Sequence, residues 1–574
     1  MQKKPNFSKH KPIVKLQDKL NERNFYDQNL NNFSEKVSRK LILPWIVIAI
    51  IFFSLGTQLF LLQVKEGFVN LRLAEGNRVK SIPVAGARGL IVDSKGQILA
   101  SNSASYVLIA RINKLRDVDK VSDDLFSVIG LSREQVKEEI KKQSFKSGYS
   151  ILREKIPRDE ALVIKSRLPV YGEFEISPTF IREYTEPSLA HLLGYVGKLN
   201  KEEQESKPIA AVNGICGKSG IEKVYDDFLQ GNPGSHKAEV DASNRLVRLL
   251  SEDDAQIGKT LKTSINKDLQ SFAYQRLKEE AEKKQTKGAL VIQDPRNGAI
   301  LAMVSIPLYD NSLISRGITQ KELDEIFKNP NRPFLNRAIG GVYPSGSSIK
   351  PFIATTALEN GVIDEGTSFE TPPFIEVGKW KFPDWKDHGV TNVKTAIAQS
   401  NNIFFYALGG GYNQSPIKRG LGPDGIKKGL EKFGYGQKTG IDLAAEESGF
   451  LPTPEWKKKT TGESWYIGNT YHMAIGQGDL LVTPLQVANA TSAIANNGKL
   501  FRPFIVQEIL DSEGKKTISA NSGEKLISDD IFSKDNLRIV RDGMRQTVQS
   551  SGSAYGVFGS DFPVEVAAKT GTAQ

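Results

Sequence analysis

The strongest constraint on how this chain folds is an uncharged apolar run near its start. Leu41 to Leu62, LILPWIVIAIIFFSLGTQLFLL, holds 22 residues without a charged side chain, enough for a helix across a hydrocarbon core of about 30 Å. Three basic residues directly precede the run, and such residues mark the cytoplasmic side of a span. A buried core helix or a cleaved signal peptide fits this length and these flanks less well. We predict a cytoplasmic basic tail over 1–40, a transmembrane helix over 41–63 and the remaining chain outside the cytoplasm.

Length and charge narrow the classes of function. A chain of 574 residues is too long for one compact domain, so two or three are expected. The net charge is +11, but ten Lys or Arg against four Asp or Glu lie in the first 40 residues. The rest of the chain therefore indicates no nucleic-acid partner. The single cysteine, Cys216, excludes an intramolecular disulfide and a multi-cysteine metal site.

Local patterns divide the part after the apolar run into two regions. Residues 64–257 mix strands and helices, and Arg88 to Asn102 alternates apolar and polar positions about an Asp93–Gly96 turn, as a β-hairpin does. A second hairpin, GALVIQDPRNGAILAMVSIPLYDNS from Gly288, opens the region 258–574. The sequence predicts an α+β protein with a β-rich pedestal over 64–257 followed by a second domain over 258–574.

Ser347 and Lys350 form a candidate nucleophile and base. They lie three residues apart after the turn-forming run Tyr343–Gly346, and on a helix this spacing brings Cβ atoms within about 5–6 Å. A serine with its own base can attack a carbonyl, and a helix N-terminus favours the charge that develops. The same spacing at Ser8, Ser415, Ser512 and Ser522 shows that alone it equally fits a solvated helix start.

Two further triplets, in a fixed order, strengthen this candidate. They are Ser400-Asn401-Asn402 and Lys569-Thr570-Gly571-Thr572. Serine-x-x-lysine, serine-x-asparagine and lysine-threonine-glycine form the signature of penicillin-binding proteins and serine β-lactamases. Similar triplets begin at Ser264, Lys438 and Ser519, but Lys569 follows the apolar, strand-like run Val564–Ala568 and Ser400 lies between apolar helical segments.

Longer segments resemble class B, or monofunctional, penicillin-binding proteins. LAHLLGYVGKLN from Leu189 and GKSGIEKVYDDFLQGNPGS from Gly217 are similar to motifs of their N-terminal pedestal, in which Arg88 and Glu222 would be structural braces. The resemblance implies a transpeptidase fold after the pedestal, an antiparallel sheet packed with helices, with Lys569 on an edge strand. The family continues past this strand with further strands and a helix, so we expect a C-terminally incomplete domain that is less stable than a complete one.

The resemblance also implies an acyl transfer from stem peptides ending in D-alanyl-D-alanine, a reaction that β-lactams block. Ser347 would be the nucleophile and Lys350 its base, whose pKa must fall from about 10.4 by burial or by the charge of Lys569. Ser400 would relay a proton to the leaving amine, and Asn402 would hold the substrate amide or orient Lys350. Backbone N–H groups of Ser347 and Thr572 would form the oxyanion hole. The residues assigned to catalysis are Ser347, Lys350, Ser400, Asn402 and Lys569, and those assigned to binding the donor carboxylate are Thr570, Gly571 and Thr572.

The segment FPDWKDHGV raises the question of a metal. Asp384, Asp387 and His388 carry ligand-type groups within one turn, but such a group is more often a hydrogen-bonded loop network. We predict no metal and no cofactor.

The segments FPDWKDHG and WYIGNTYHMAIGQGDLLVTPLQVANATSAIANNG, from Trp465, most resemble the elongation-phase members, type 2, of the family. This resemblance implies a role in cell elongation and shape maintenance, a single-pass protein of the bacterial inner (plasma) membrane with a periplasmic or extracellular catalytic domain, and a SEDS-type glycosyltransferase partner in the elongation complex. A septal, type 3, transpeptidase, a membrane-bound β-lactamase or β-lactam sensor, and a non-catalytic wall-synthesis scaffold are the alternatives.

Overall fold

The structure is a computed structural model that describes residues 44–65, 79–111, 126–127, 129–142, 149–168, 174–240, 246–518, 526–558 and 562–573. The basic tail predicted over 1–40 lies outside the described residues, as do positions 41–43. The described residues group into two compact units. One lies within residues 1–82 and 236–252, and the other within residues 83–235 and 253–574.

The N-terminal apolar run forms a helix, α1 (Pro44–Lys65), with a mean hydropathy of 2.3. Its first residue is a proline, which lacks the N–H that a first helical turn leaves unpaired. All of its residues are exposed in the isolated chain, so no protein core covers the apolar surface. The helix is long and apolar enough to cross a membrane, in agreement with the sequence prediction.

The region after α1 is built from short helices and from strands of 2 to 14 residues. The strands β1, β8 and β9 form a three-stranded sheet in the order β1–β8–β9. The strands are β1 (Val79–Gly86), β2 (Ile91–Val92), β3 (Ile98–Arg111), β4 (Tyr149–Ile156), β5 (Phe174–Tyr184), β6 (Val196–Lys198), β7 (Ile215–Gly217), β8 (Gly231–Val240) and β9 (Leu246–Asp253). The helices are α2 (Arg133–Lys142), α3 (Arg158–Arg167), α4 (Ala190–Leu193), α5 (Lys201–Ser206), α6 (Pro208–Asn213), α7 (Gly220–Val224) and α8 (Asp226–Leu229).

The elements after residue 257 combine a large helical core with small sheets. The strands are β10 (Thr260–Thr263), β11 (Gly288–Gln293), β12 (Ile300–Ile306), β13 (Ser368–Thr371), β14 (Phe374–Val377), β15 (Trp380–Pro383), β16 (Gly389–Asn392), β17 (Leu500–Phe501), β18 (Val506–Leu510), β19 (Lys516–Ile518) and β20 (Leu526–Ser528). The helices are α9 (Lys267–Lys283), α10 (Asn311–Arg316), α11 (Gln320–Lys328), α12 (Lys350–Glu359), α13 (Val393–Gln399), α14 (Asn402–Gly410), α15 (Gly422–Lys432), α16 (Pro454–Thr461), α17 (Ile467–Ala474), α18 (Pro484–Ala495), α19 (Lys534–Gln546) and α20 (Tyr555–Phe558).

One sheet joins the parts of the chain before and after residue 257. Its strand order is β19–β18–β10–β2–β3–β4, and β5 also pairs with β3. The predicted hairpin is present, because β2 and β3 run antiparallel with Ile91 opposite Ala100. On its other edge β2 pairs in parallel with β10, where Ile91 lies opposite Leu261. The buried side chains of Ile91 and Leu261 belong to one apolar cluster with Ile505, so the sheet and its core are continuous across this position.

A cluster of charged side chains is buried in the pedestal region. Arg88 Nε donates to Glu222 at 2.5 Å and Arg88 Nη1 donates to Asp226 at 2.8 Å. Arg182 Nε donates to the second oxygen of Glu222 at 2.7 Å. Burial alone raises the pKa of the Glu222 carboxyl, but the charges of Arg182 and Arg88 outweigh it and hold that pKa below its ordinary value. Arg88 and Glu222 are therefore joined in a structural ion network, as the resemblance implied.

The core of the second region surrounds helix α12. Every residue from Lys350 to Leu358 is buried, which is the pattern of a helix enclosed on all sides. Phe352 contacts the rings of Phe433 and Tyr435. These contacts pack helix α12, which begins at Lys350, into the core of this region.

The structure contradicts one prediction for this region. The run Val564–Ala568 was expected to form an edge strand of an antiparallel sheet, but the described residues 562–573 contain no strand. A strand needs a ladder of repeated hydrogen bonds with a neighbour. Here the backbone bond of the run is a single one, from Ala568 N–H to Met544 O at 2.9 Å beside helix α19. Among the described strands, β11 pairs only with β12.

Candidate active site

Ser347 lies on a tight turn directly before helix α12. The turn Gly346–Ile349 is a 3₁₀ helix, and Lys350 then begins the α-helix. Gly346 has φ +51°, and a Cβ at that position would lie 2.5 Å from Thr572 O. Its N–H donates to Gly476 O at 2.8 Å. Only glycine fits this close approach, and it fixes the backbone next to Ser347 between two other segments of the chain.

The serine-x-asparagine triplet forms a sharp corner between α13 and α14. Ser400 has φ +58° and ψ 37°, a left-handed conformation that non-glycine residues rarely adopt. The buried side chain of Asn401 caps α14 by accepting from Phe404 N–H at 2.6 Å. Asn402 begins α14. The corner therefore directs three groups toward Lys350: the carbonyl of Ser400, the side chain of Ser400 and the side chain of Asn402.

Lys350 is fully buried and its amine is held by this corner. Nζ donates to Ser400 O at 2.8 Å, to Asn402 Oδ1 at 2.7 Å and to Ser400 Oγ at 3.4 Å. The sequence predicted that the amine reaches the hydroxyl of Ser347, but no hydrogen bond joins these two groups, both of which the structure describes. The reason is competition, because the left-handed corner offers three acceptor oxygens that a spacing rule along one helix does not include.

Lys569 reaches the same corner from the end of the chain. Its Nζ donates to Ser400 Oγ at 2.9 Å and to Thr570 O at 2.8 Å. The hydroxyl of Ser400 therefore lies between the amines of Lys350 and Lys569. The structure thus brings together four of the five predicted catalytic side chains in one hydrogen-bonded group, and Ser347 lies three residues before Lys350 on the adjoining turn.

Both amines have pKa values far from that of an ordinary lysine. Burial lowers the pKa of Lys350 well below its ordinary value, the charge of Lys569 lowers it further, and Asp384 opposes the shift. Burial lowers the pKa of Lys569 to about 7. The sequence argument named burial and the charge of Lys569 as alternative causes for Lys350; both act, and burial is the larger one. An amine that is neutral near pH 7 can accept a proton from a hydroxyl.

The lysine-threonine-glycine segment lies against the turn that carries the nucleophile. A Cβ on Gly571 would be 3.3 Å from Ser348 N and 3.4 Å from Ser345 O. Gln477 Nε2 donates to Thr572 O at 3.1 Å. Gly571 and Thr572 therefore lie against the turn that carries Ser347, and the binding role of Thr570, Gly571 and Thr572 stays a prediction. Gln477 was missed because a lone glutamine belongs to none of the three triplets.

The acidic loop beside the corner has partners within the protein. Asp384 Oδ2 accepts from Asn402 N–H at 2.8 Å and from Ile403 N–H at 3.2 Å, at the N-terminus of α14. Its other oxygen lies 3.5 Å from His388 Nε2, while Asp387 accepts from Gly389 N–H at 3.2 Å. Within the described residues no three His, Cys, Asp or Glu side chains form a metal-binding group. Asp384 acts here as an anion at a helix N-terminus.

Two of the similar triplets have structural roles. The hydroxyl of Thr439, in Lys438-Thr439-Gly440, donates to the buried Glu446 at 2.6 Å. Ser264 donates to Ile300 O at 2.7 Å. The third, which begins at Ser519, lies outside the described residues. Context in the sequence thus separated the site triplets from these two.

Comparisons with known proteins agree with this geometry. A model of the penicillin binding protein transpeptidase domain matches residues 288–574, and a model of the penicillin-binding protein dimerisation domain matches residues 83–263. A serine on a turn next to one buried and one half-buried lysine, on a chain with an apolar N-terminal helix and these two domains, defines a penicillin-binding serine acyltransferase. The chain belongs to the class B penicillin-binding proteins and is most like their type 2 members.

Individual relatives cover most of the chain. Peptidoglycan D,D-transpeptidase MrdA of Acinetobacter baumannii is 34% identical over 521 residues, which are 87% of this chain and 73% of the relative. MrdA of Haemophilus influenzae is 32% identical over 518 residues, 88% of this chain and 75% of the relative. Among solved structures, the complex between penicillin-binding protein 2 and MreC from Helicobacter pylori matches with a TM-score of 0.73 and 30% identity, covering 86% of this chain and 90% of that one.

Proposed function

We propose that this protein is a peptidoglycan D,D-transpeptidase that cross-links stem peptides through an acyl-serine intermediate on Ser347. The hydroxyl oxygen of Ser347 attacks the carbonyl of the penultimate D-alanine, and the terminal D-alanine leaves as an amine. The amino group of a second stem peptide then attacks the ester and releases Ser347. The observation that carries this proposal is the hydrogen-bonded group of Lys350, Ser400, Asn402 and Lys569, in which both amines have lowered pKa values.

The residues divide into proton transfer and binding. Lys350 takes the proton of Ser347, which requires its amine to turn from Ser400 O or Asn402 Oδ1 when substrate enters. Ser400, held between both amines, passes a proton to the leaving amine. Lys569, Thr570 and Thr572 bind the donor carboxylate. The backbone N–H groups of Ser347 and Thr572 form the oxyanion hole, where a lost donor typically costs about 2.7–4 kcal/mol.

Covalent labelling by a fluorescent penicillin tests the chemistry. We expect the full chain to be labelled with a bond that persists for many minutes, and Ser347→Ala to abolish labelling. Ser512→Ala is the matched control, because Ser512 also precedes a lysine by three residues but is exposed, and it should label like the unchanged protein. Labelling that survives Ser347→Ala refutes the assignment. Release of the label within seconds indicates a β-lactamase, and no labelling of the unchanged protein indicates a scaffold.

We further propose that the protein acts in cell elongation, with its N-terminus in the cytoplasm and the region after α1 outside. The likeness to type 2 members supports this role over septal synthesis. The partners proposed are the peptidoglycan donor and acceptor strands, a SEDS-type glycosyltransferase in the membrane and the elongation complex. Copurification of the glycosyltransferase with the full chain from solubilised membranes is expected, and a reporter fused before residue 41 should be active only in the cytoplasm.

A further inference from the structure

A serine outside all three triplets contacts the lysine-threonine-glycine segment. Ser553 Oγ lies 2.8 Å from Thr570 Oγ1, and Lys569 Nζ lies 3.5 Å from the same Thr570 oxygen. Hydrogen bonds therefore connect Ser553 with Thr570, Thr570 with Lys569, and Lys569 with Ser400. Ser553 is exposed, so it stands at the outer end of this chain of polar groups, where the cleft opens to solvent.

The backbone around Ser553 is tightly fixed. Ser553 N–H donates to Ala398 O at 3.0 Å, two residues before Ser400 on the preceding helix, α13. The next residue, Ala554, is buried and its N–H donates to Thr547 O at 2.9 Å. A Cβ on Gly552 would lie 2.1 Å from Thr547 O, so this turn is packed onto the end of α19. Ser553 therefore has a fixed backbone position. It connects the end of helix α13, next to Ser400, with the segment that carries Thr570.

We infer that Ser553 is a positioning residue that orients the hydroxyl of Thr570 for the carboxylate of the peptide donor, an inference that rests on the proposed function. A threonine hydroxyl has one proton and two acceptor lone pairs. When Ser553 donates to Thr570 Oγ1, the proton of Thr570 is free to point into the cleft. A carboxylate accepts such a hydrogen bond strongly because it is charged. Without Ser553, the proton of Thr570 turns toward other acceptors, and the grip on the carboxylate weakens.

The test compares two probes on the full chain in detergent micelles: a penicillin with its free carboxylate, and the methyl ester of the same penicillin. We expect Ser553→Ala to lower the second-order acylation rate constant about tenfold for the acid and less than twofold for the ester. Ser553→Thr, which keeps a hydroxyl on the same Cβ, should restore the rate. Ser551→Ala is the control, because Ser551 is exposed in the same turn and makes no hydrogen bond with any residue that the structure describes.

A double-mutant cycle with Thr570→Val separates positioning from a structural effect. If Ser553 acts through Thr570, adding Ser553→Ala to Thr570→Val causes no further loss with the acid probe. An equal loss on both probes, an additive double mutant, or an unchanged rate in Ser553→Ala overturns the inference. Failure of the unchanged protein to react with the acid would instead overturn the proposed function. Thermal midpoints within about 2 °C of the unchanged protein show that the variants are folded.

Discussion

Two buried groups of charged side chains in this protein show opposite uses of burial. In the pedestal region, Glu222 lies between Arg88 and Arg182 with hydrogen bonds of 2.5 and 2.7 Å, and its pKa is held below the ordinary value. In the cleft, Lys350 and Lys569 share Ser400 as a partner, and their pKa values fall. Opposite charges in the first group stabilise the charged forms. In the second group, burial without an opposite charge favours the neutral amines, and the charge of Lys569 adds to this effect at Lys350, whose neutral form can accept a proton.

The difference is in the partners and not in the degree of burial. Lys350 and Glu222 are both completely buried. Asp384 favours the charged form of Lys350. Its carboxylate accepts hydrogen bonds from Asn402 N–H and Ile403 N–H, however, and among the described residues it forms no ion pair with the amine of Lys350. In the active site, the desolvation cost of burying a charged lysine is not offset by a paired carboxylate. In the pedestal, paired opposite charges offset the same kind of cost.

The largest effect that this comparison predicts is on catalysis at Lys350. Lys350→Met keeps the length of the side chain but removes the base, so acylation by a penicillin should fall about 10²–10⁴-fold. The thermal midpoint should change little, because no ionic partner loses its counter-charge. Stopped-flow labelling and thermal unfolding measure the two effects. Lys386→Met, at an exposed lysine, is the control, and a strongly lowered midpoint in Lys350→Met would break the comparison.

The pedestal variant should show the reverse pattern. Glu222→Gln leaves Arg88 and Arg182 without their shared carboxylate, which should cost about 3–5 kcal/mol in the free energy of unfolding. The protein that remains folded should still acylate at the normal rate. Thermal unfolding combined with active-site titration tests this.

Acid should produce the same loss in the unchanged protein, since the folded pKa of Glu222 is lowered. Its contribution to the free energy of unfolding is full above the carboxyl's ordinary pKa and is lost as the pH falls through the lowered value.

Glu376→Gln, at an exposed partner of Lys381, serves as the matched control for Glu222→Gln. Unchanged stability in Glu222→Gln would show that the pedestal group does not brace the fold.

The smallest effect concerns the pH dependence of Lys569. With a pKa of about 7, its amine is charged below pH 7 and mostly neutral at pH 9. The charged form attracts the donor carboxylate, so the rate constant for a penicillin should decline about tenfold between these pH values, while that of the methyl ester should not. The pH profiles of the two probes provide the measurement. A parallel decline of both would assign the alkaline limb to another group.

The order of the triplets predicted which residues meet, but not how they meet. Lys350, Ser400, Asn402 and Lys569, which form the hydrogen-bonded group, were all named because each triplet has a chemical pattern that is visible in the sequence. The orientation of the Lys350 side chain was not predicted. It depends on the positive φ of Ser400, and the sequence gives no sign that this serine adopts a left-handed conformation. Ser553 and Gln477 were missed because their contacts with Thr570 and Thr572 join segments that are distant in the sequence. The missing strand at Val564–Ala568 shows that an apolar run specifies a strand only where a neighbour pairs with it.

The parallel pairing of β2 with β10 has a consequence for how the protein can be divided. Cutting the chain near residue 257 would separate Leu261 from Ile91, its partner on the neighbouring strand. Each fragment would then have an unpaired edge strand, which promotes aggregation. A shortened protein that lacks helix α1 should therefore keep strands β2, β3 and β4, because they belong to the same sheet as β10, β18 and β19 of the catalytic region.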